Sequence, residues 1–261
     1  MPSVIARSAI TPVFAQPSVR AEQVSQLVLG ETGLVEESSG EWRRIRCDHD
    51  GYQGWVHAGY LIETDEVTAD RWRRDAGGWS LGATLGVAGQ RVRLPLRARA
   101  ALDGAKVLLP DGRRAELVEG DVPAASDATA AARARAPERW ALEHFESAPY
   151  EWGGVTPWGV DCSGLVQTTF AARGLALPRD AALQVDIGAV VDLGGRQPGD
   201  LLYFRGESGD RITHVAFAAE ADTLIHSTVS CGGVLREPWL PGTRAAVLRE
   251  KLVAVRRLED R

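Results

Sequence analysis

The chain has 261 residues and a formal net charge of −5 at pH 7, with 44% hydrophobic and 25% charged residues. That is the composition of a folded protein of two or three domains, long enough to bury a core without disulfide staples. The acidic balance argues against nucleic acid as a partner, no apolar run is long enough to span a membrane as a helix, and three cysteines make no disulfide framework.

Met1–Gln16 carries Arg7 and Pro12 inside its apolar part and lacks a basic lead. It reads poorly as a secretory signal, so a cytoplasmic location is the expectation. Short apolar–polar alternations follow at Gln26–Leu29, Gly33–Val35, Trp42–Arg46 and Gly54–His57, divided by the turn residues Ser38-Ser39-Gly40 and Asp48-His49-Asp50-Gly51. They predict a small all-β domain over 1–63, a barrel or sandwich. Gly30-Glu31, Trp42, Asp50-Gly51-Tyr52-Gln53-Gly54-Trp55-Val56 and Tyr60-Leu61 resemble a bacterial SH3-like domain. Residues 64–123 repeat this character in degenerate form, with Asp111-Gly112 predicting a hairpin turn after Val107-Leu108-Leu109. A second SH3-like barrel is expected there. Trp42, Trp55, Trp72 and Trp79 suit the cores of these β domains. The Ala-rich stretch 124–136 is expected to be a linker or helical tether, and Pro137 suits the first position of the next helix.

From residue 137 to 261 the pattern changes. Trp140, Ala141, His144, Phe145 and Ala148 fall at helical spacing, and Tyr150–Gly154 breaks that helix. Asp161-Cys162-Ser163-Gly164 opens another, with Leu165, Val166, Thr169 and Phe170 on one stripe. Strand-like runs follow at 200–204, 213–218, 223–228 and 252–255. Helices first and a meandering sheet afterwards predict an α+β domain.

Asp161 is a good N-cap, which puts the Cys162 thiol in the first helical turn. Unpaired N–H groups and the helix dipole there favour a thiolate and could hold an oxyanion. Against this stands the common case of an inert, buried cysteine. Two histidines change the balance. His214 and His226 lie on consecutive predicted strands, and a hairpin folded about Glu220 sets them directly opposite on one face. One could take the thiol proton while the other orients its ring. Cys47 with His49, and His226 with Cys231, make no metal-ligand pattern, so no metal or cofactor is expected.

The ordered blocks Pro149–Gly154, Asp161–Val166, Leu177-Pro178-Arg179-Asp180, Gln197–Leu201, Thr213–Ala216 and Ile225-His226-Ser227 resemble the NlpC-type cysteine peptidases of bacterial cell-wall metabolism. The resemblance implies a papain-like catalytic domain with Cys162 as nucleophile, His214 as base and His226 as the orienting residue. Two SH3-like domains before such a core resemble the γ-D-glutamyl-L-diamino acid endopeptidases. These cut murein peptides that begin with a free L-alanine. The substrate-reading residues this implies are Glu31 and Tyr52 in the first domain, and Tyr150, Asp161 and Ser163 in the catalytic one. Ala181 stands where the family often has serine, which removes one hydrogen bond to substrate. The rival readings are a wall-binding protein with an inert catalytic domain, and an acyltransferase or amidase on a related core.

Overall fold

The computed structural model describes residues 1–207 and 209–258. The chain divides into two compact units, residues 1–129 and 130–261.

The first unit holds two antiparallel sheets. β1 (Pro2–Ala6), β2 (Ile10–Phe14), β3 (Gln23–Val28), β4 (Thr32–Ser39), β5 (Trp42–Cys47), β6 (Gln53–His57) and β7 (Leu61–Asp65) form a seven-stranded sheet in the order β3-β2-β6-β5-β4-β1-β7. After α1 (Glu66–Asp75) come β8 (Gly78–Leu81), β9 (Thr84–Val87), β10 (Gln90–Arg93), β11 (Leu96–Asp103), β12 (Lys106–Leu108) and β13 (Arg114–Glu119), in the order β10-β9-β13-β12-β11-β8. The Asp111-Gly112 turn joins β12 and β13 as expected, and α2 (Ala125–Arg133) occupies the Ala-rich stretch.

Strands from both ends of the first sheet feed one core of Val4, Ala6, Val13, Leu27, Ile45, Cys47, Val56 and Leu61. The sheet therefore curls around its own apolar face. It does not close: β3 and β7 remain edges, so the expected barrels are open sheets. β1 and β2 were not legible as strands. Pro12 interrupts the β2 signal, and it is tolerated because β2 meets β6 only at Phe14↔Trp55, leaving Pro12 without a ladder partner on that side.

The two sheets are joined tightly at Gly30. The Arg99 N–H donates to Leu29 O at 2.8 Å, and Trp72 Nε1 donates to Gly30 O at 2.8 Å. Gly30 has φ +82°, and a Cβ there would lie 2.4 Å from Arg99 O, so only glycine permits the approach. Trp72 itself sits on α1, not in a strand. That helix starts where Asp65 Oδ1 accepts the Thr68 N–H at 2.7 Å.

In the second unit α3 (Pro137–Phe145) begins with its proline at the first turn. A two-stranded ribbon of β14 (Val155–Thr156) and β15 (Gly159–Val160) leads into α4 (Cys162–Ala172) and the short α5 (Ala181–Gln184). β16 (Ala189–Val191), β17 (Leu201–Arg205), β18 (Ile212–Ala219), β19 (Thr223–Thr228), β20 (Gly233–Pro238), α6 (Arg244–Arg249) and β21 (Leu252–Arg257) complete it. The six strands form an antiparallel sheet in the order β16-β21-β17-β18-β19-β20. α6 packs on one face through Ala245 and Leu248 against Leu202, Phe204, Ala216, Ala218 and Leu224. Phe217 points to the other face and meets Phe170 of α4 with ring centroids 6.0 Å apart. Nearly every residue of α4 is buried, the polar Ser163, Gln167, Thr168 and Thr169 included, so the helix is enclosed all round rather than along one stripe. No described helix is long and apolar enough to cross a membrane.

Candidate active site

Asp161 holds the start of α4. It adopts extended φ/ψ (−93°, 179°), and its Oδ1 accepts the Gly164 N–H at 2.7 Å, so the helix opens at Cys162. Its Oδ2 accepts the Gly153 N–H at 2.9 Å, which draws the Tyr150–Gly154 loop onto the helix tip. A Cβ at Gly164 would stand 2.1 Å from Gly154 O, so the contact requires glycine.

Arg179 completes this frame. Its Nη1 donates to Asp161 Oδ1 at 3.0 Å and to Ser163 Oγ at 2.8 Å; its Nη2 donates to Asp161 Oδ2 at 2.6 Å and to Gly154 O at 3.3 Å. Arg179 is 2% exposed. A guanidinium this buried persists only with its carboxylate and hydrogen bonds in place. The role of Arg179 is not legible in the sequence: nothing in its spacing shows that the chain returns it to the helix tip. Asp161 and Ser163 already have protein partners: five donors converge on the two Asp161 oxygens, counting the Ser163 hydroxyl at 3.2 Å. Gln184 Nε2 adds a bond to Ser163 O at 3.1 Å, next to the buried Ala181.

Cys162 is 9% exposed, and its sulfur receives the backbone N–H groups of Val215 and Ser163. Those bonds and the nearby Arg179 charge favour the thiolate. Burial, with the Asp161 charge, outweighs them and pushes the thiol up to about 12. This corrects the expectation of a resting thiolate: desolvation exceeds what the helix terminus supplies. Tyr150 lies beside this thiol. Burial, then the negative groups at Cys162 and Asp161, push its phenol above the usual tyrosine range, so it remains an O–H donor.

The Cys162 sulfur meets β18 at the residue after His214. His214 Nε2 lies 2.9 Å from His226 Nδ1, with the rings edge to face. The register that brings them together differs from the expected one. Phe217 pairs with Ile225, Ala218 with Leu224 and Ala219 with Thr223, which sets His226 against Ala216 and His214 on the diagonal. The hairpin turns about Ala221 rather than Glu220, with Ala221 at φ 57° and Asp222 at φ 53°. A slip of two residues keeps both rings on one face, because side chains alternate with period two. Burial lowers both imidazoles, His214 well below the ordinary value and His226 to about 4, with the Arg244 charge adding to both. Both rings are neutral at pH 7. His226 Nε2 faces Glu237 Oε2 at 3.3 Å.

The two residues expected in the first unit lie in its own framework. Glu31 is buried; its Oε1 pairs with Arg97 Nε at 2.8 Å and its Oε2 accepts the Val28 N–H at 3.0 Å. Tyr52 packs against the core of the seven-stranded sheet. Cys47 is part of that core, and burial raises its thiol far above the ordinary value. Among the described residues no group of His, Cys, Asp and Glu is arranged to hold a metal ion.

Residues 147–248 match the model of the NlpC/P60 family, and residues 13–61 match that of the bacterial dipeptidyl-peptidase SH3 domain. A curated relative named gamma-D-glutamyl-L-lysine dipeptidyl-peptidase, from Bacillus cereus, is 27% identical over 234 residues, 78% of this chain and 66% of the relative. The probable endopeptidase NlpC of Escherichia coli is 39% identical over 92 residues, 35% of this chain and 60% of that protein. The matched regions thus span less than two thirds of either relative's length. A crystal structure of an NlpC/P60 family protein from Bacillus cereus covers 98% of this chain, and this chain 99% of it, with a TM-score of 0.79 at 22% identity.

Proposed function

We infer that this chain, which carries an NlpC/P60 domain behind a bacterial SH3 domain, is a cysteine endopeptidase of peptidoglycan peptides. The carrying observation is the Cys162 thiol at the tip of α4, bonded to the N–H that follows His214, whose ring is tied at 2.9 Å to a second imidazole. His226 occupies His214 Nε2, which leaves His214 Nδ1 for the thiol proton. Since thiol and imidazole rest neutral, the proton moves as sulfur attacks the carbonyl carbon, not before. The oxyanion is held by backbone N–H at the helix tip, with the Tyr150 hydroxyl as a further donor. The imidazolium of His214 then gives its proton to the leaving amine, and water hydrolyses the thioester.

The finer reading is cleavage after γ-D-glutamate, before lysine or diaminopimelate, in peptides that begin with L-alanine. The relative's name and the shared domain order support it. In this reading Asp161, Ser163 and Arg179 brace the cleft from within, and Tyr150 faces the substrate. Mass spectrometry of L-Ala-γ-D-Glu-L-Lys and its diaminopimelate counterpart, each free and N-acetylated, tests it. L-Ala-γ-D-Glu and the released diamino acid are the expected products. Intact substrate in every arm, with wild-type protein, defeats the reading.

A further inference from the structure

Glu237 has no part in the sequence motifs. It lies near the end of β20, paired with Leu224 across the strands. Leu224 and His226 share a face by alternation, and Ala218, His214's neighbour on that face, pairs with Leu224. His214, His226 and Glu237 therefore stand on the same side of the sheet, the side on which α6 packs.

Glu237 is 7% exposed; its two oxygens accept two backbone N–H groups and face one ring nitrogen. Oε1 accepts the Arg244 N–H at 2.7 Å and Oε2 accepts the Ala245 N–H at 2.9 Å, both at the start of α6. Oε2 also lies 3.3 Å from His226 Nε2. A carboxylate can only accept from a neutral ring. Through its charge it therefore favours the form of His226 protonated on Nε2, although the contact at 3.3 Å is not aligned as a hydrogen bond. The Nδ1 lone pair is then free, and it faces His214 Nε2 at 2.9 Å. The opposite tautomer would leave Nε2 and the carboxylate as two acceptors face to face. It would also aim an Nδ1–H at His214 Nε2, forcing the only His214 proton onto Nδ1, where the thiol proton must arrive.

We propose that Glu237 is a positioning residue that fixes His226 as its Nε2–H tautomer, and so keeps His214 Nε2 protonated and Nδ1 open to the Cys162 thiol. Burial and the Arg244 charge keep His226 neutral, as an acceptor must be. Capping α6 is a separate task of the same carboxylate. A glutamine can serve one of the two tasks but not both, since its amide nitrogen would face either the N–H groups of α6 or the His226 ring.

The direct test is the ring ¹⁵N–¹H correlation spectrum of the ligand-free protein, with His226 assigned through His226→Gln. In the wild type the His226 proton is expected on Nε2; a proton on Nδ1 overturns the proposal and needs no folded variant to do so. In Glu237→Leu, which offers His226 no acceptor, the His226 proton is expected to shift toward Nδ1, and an unchanged Nε2–H also overturns it; Glu237→Gln is the variant for kinetics. The kinetic arm alone rests on the peptidase reading: kcat on the tripeptide should fall roughly 10–100-fold at unchanged KM, as supporting-residue changes do. Circular dichroism of Glu237→Gln separates this from loss of α6, and Glu237→Asp should recover less than wild-type kcat because its carboxylate is a methylene short. If the wild type cleaves no peptide but shows Nε2–H, the peptidase reading fails while the tautomer assignment stands.

Discussion

Two buried carboxylate–guanidinium pairs, one in each unit, serve different ends. Glu31 and Arg97 join a turn of the seven-stranded sheet to β11 of the neighbouring sheet. Asp161 and Arg179 join a glycine-rich loop to the first turn of α4. Both pairs are buried. What separates them is the company they keep. Beside the second pair stand a thiol with two N–H donors, a phenol and two hydrogen-bonded imidazoles. Beside the first stands a cavity that Glu31 lines with Asp48, His49, Arg73 and Arg99, with no thiol or phenol among its lining residues. A buried ion pair thus marks where a fold is fastened, and the uncommitted groups next to it mark where chemistry can occur.

The sharpest way to separate the two regions is to delete the reacting groups. Cys162→Ala and His214→Ala should each lower kcat on the tripeptide by about 10³-fold or more, with little further loss when combined. Activity of either variant within about tenfold of wild type would refute the catalytic assignment. Next come the fastenings. Arg179→Met leaves Asp161 buried without its cation and should cost about 3–5 kcal/mol in chemical denaturation, with activity lost even where the protein is folded. Arg97→Met should cost a similar amount for Glu31, yet leave kcat of the folded protein near wild type. Equal catalytic loss in both would erase the distinction between the two pairs.

A pH profile sharpens it further. His214 titrates well below 6.5 and His226 near 4, so the neutral base persists as pH falls. The acid limb of kcat/KM is expected below pH 6.5, not at or above it. Stability follows the same sign: the unfolded chain takes up protons near 6.5 that the folded rings refuse, so stability declines as pH drops from there toward 4. Cys162, raised to about 12, should alkylate more slowly with iodoacetamide at pH 7 than a free thiol, with a rate still climbing past pH 9. Fast alkylation at neutral pH would mean a resting thiolate. The smallest effect is local to the first unit: Asp65→Ala removes the cap of α1 and should cost about 1 kcal/mol.

Much of the catalytic unit is legible in the chain itself. Pro137 opens α3, Asp161 caps α4, and the runs at 201–205, 212–219, 223–228 and 252–257 are strands. Local rules suffice there, because caps, proline and alternation act over a few residues. They also put Cys162 at a helix tip and both histidines on one face. Other features were not legible. β20 and α6 carry weak local patterns, and their places depend on the sheet and on Glu237 reaching the N–H groups of Arg244 and Ala245. β1 hides in an apolar run without the clear apolar–polar alternation of a strand.

The sequence alone determined which residues could react and which way each element would face, because both follow from side-chain chemistry and backbone period. Only the tertiary structure decided how those groups rest. Burial made the thiol and the imidazoles neutral, a turn centred on Ala221 set the diagonal between the rings, and Arg179 and Glu237 came back from distant positions to fasten them. Desolvation and long-range pairing depend on what the folded chain brings together, and no window of neighbouring residues contains that.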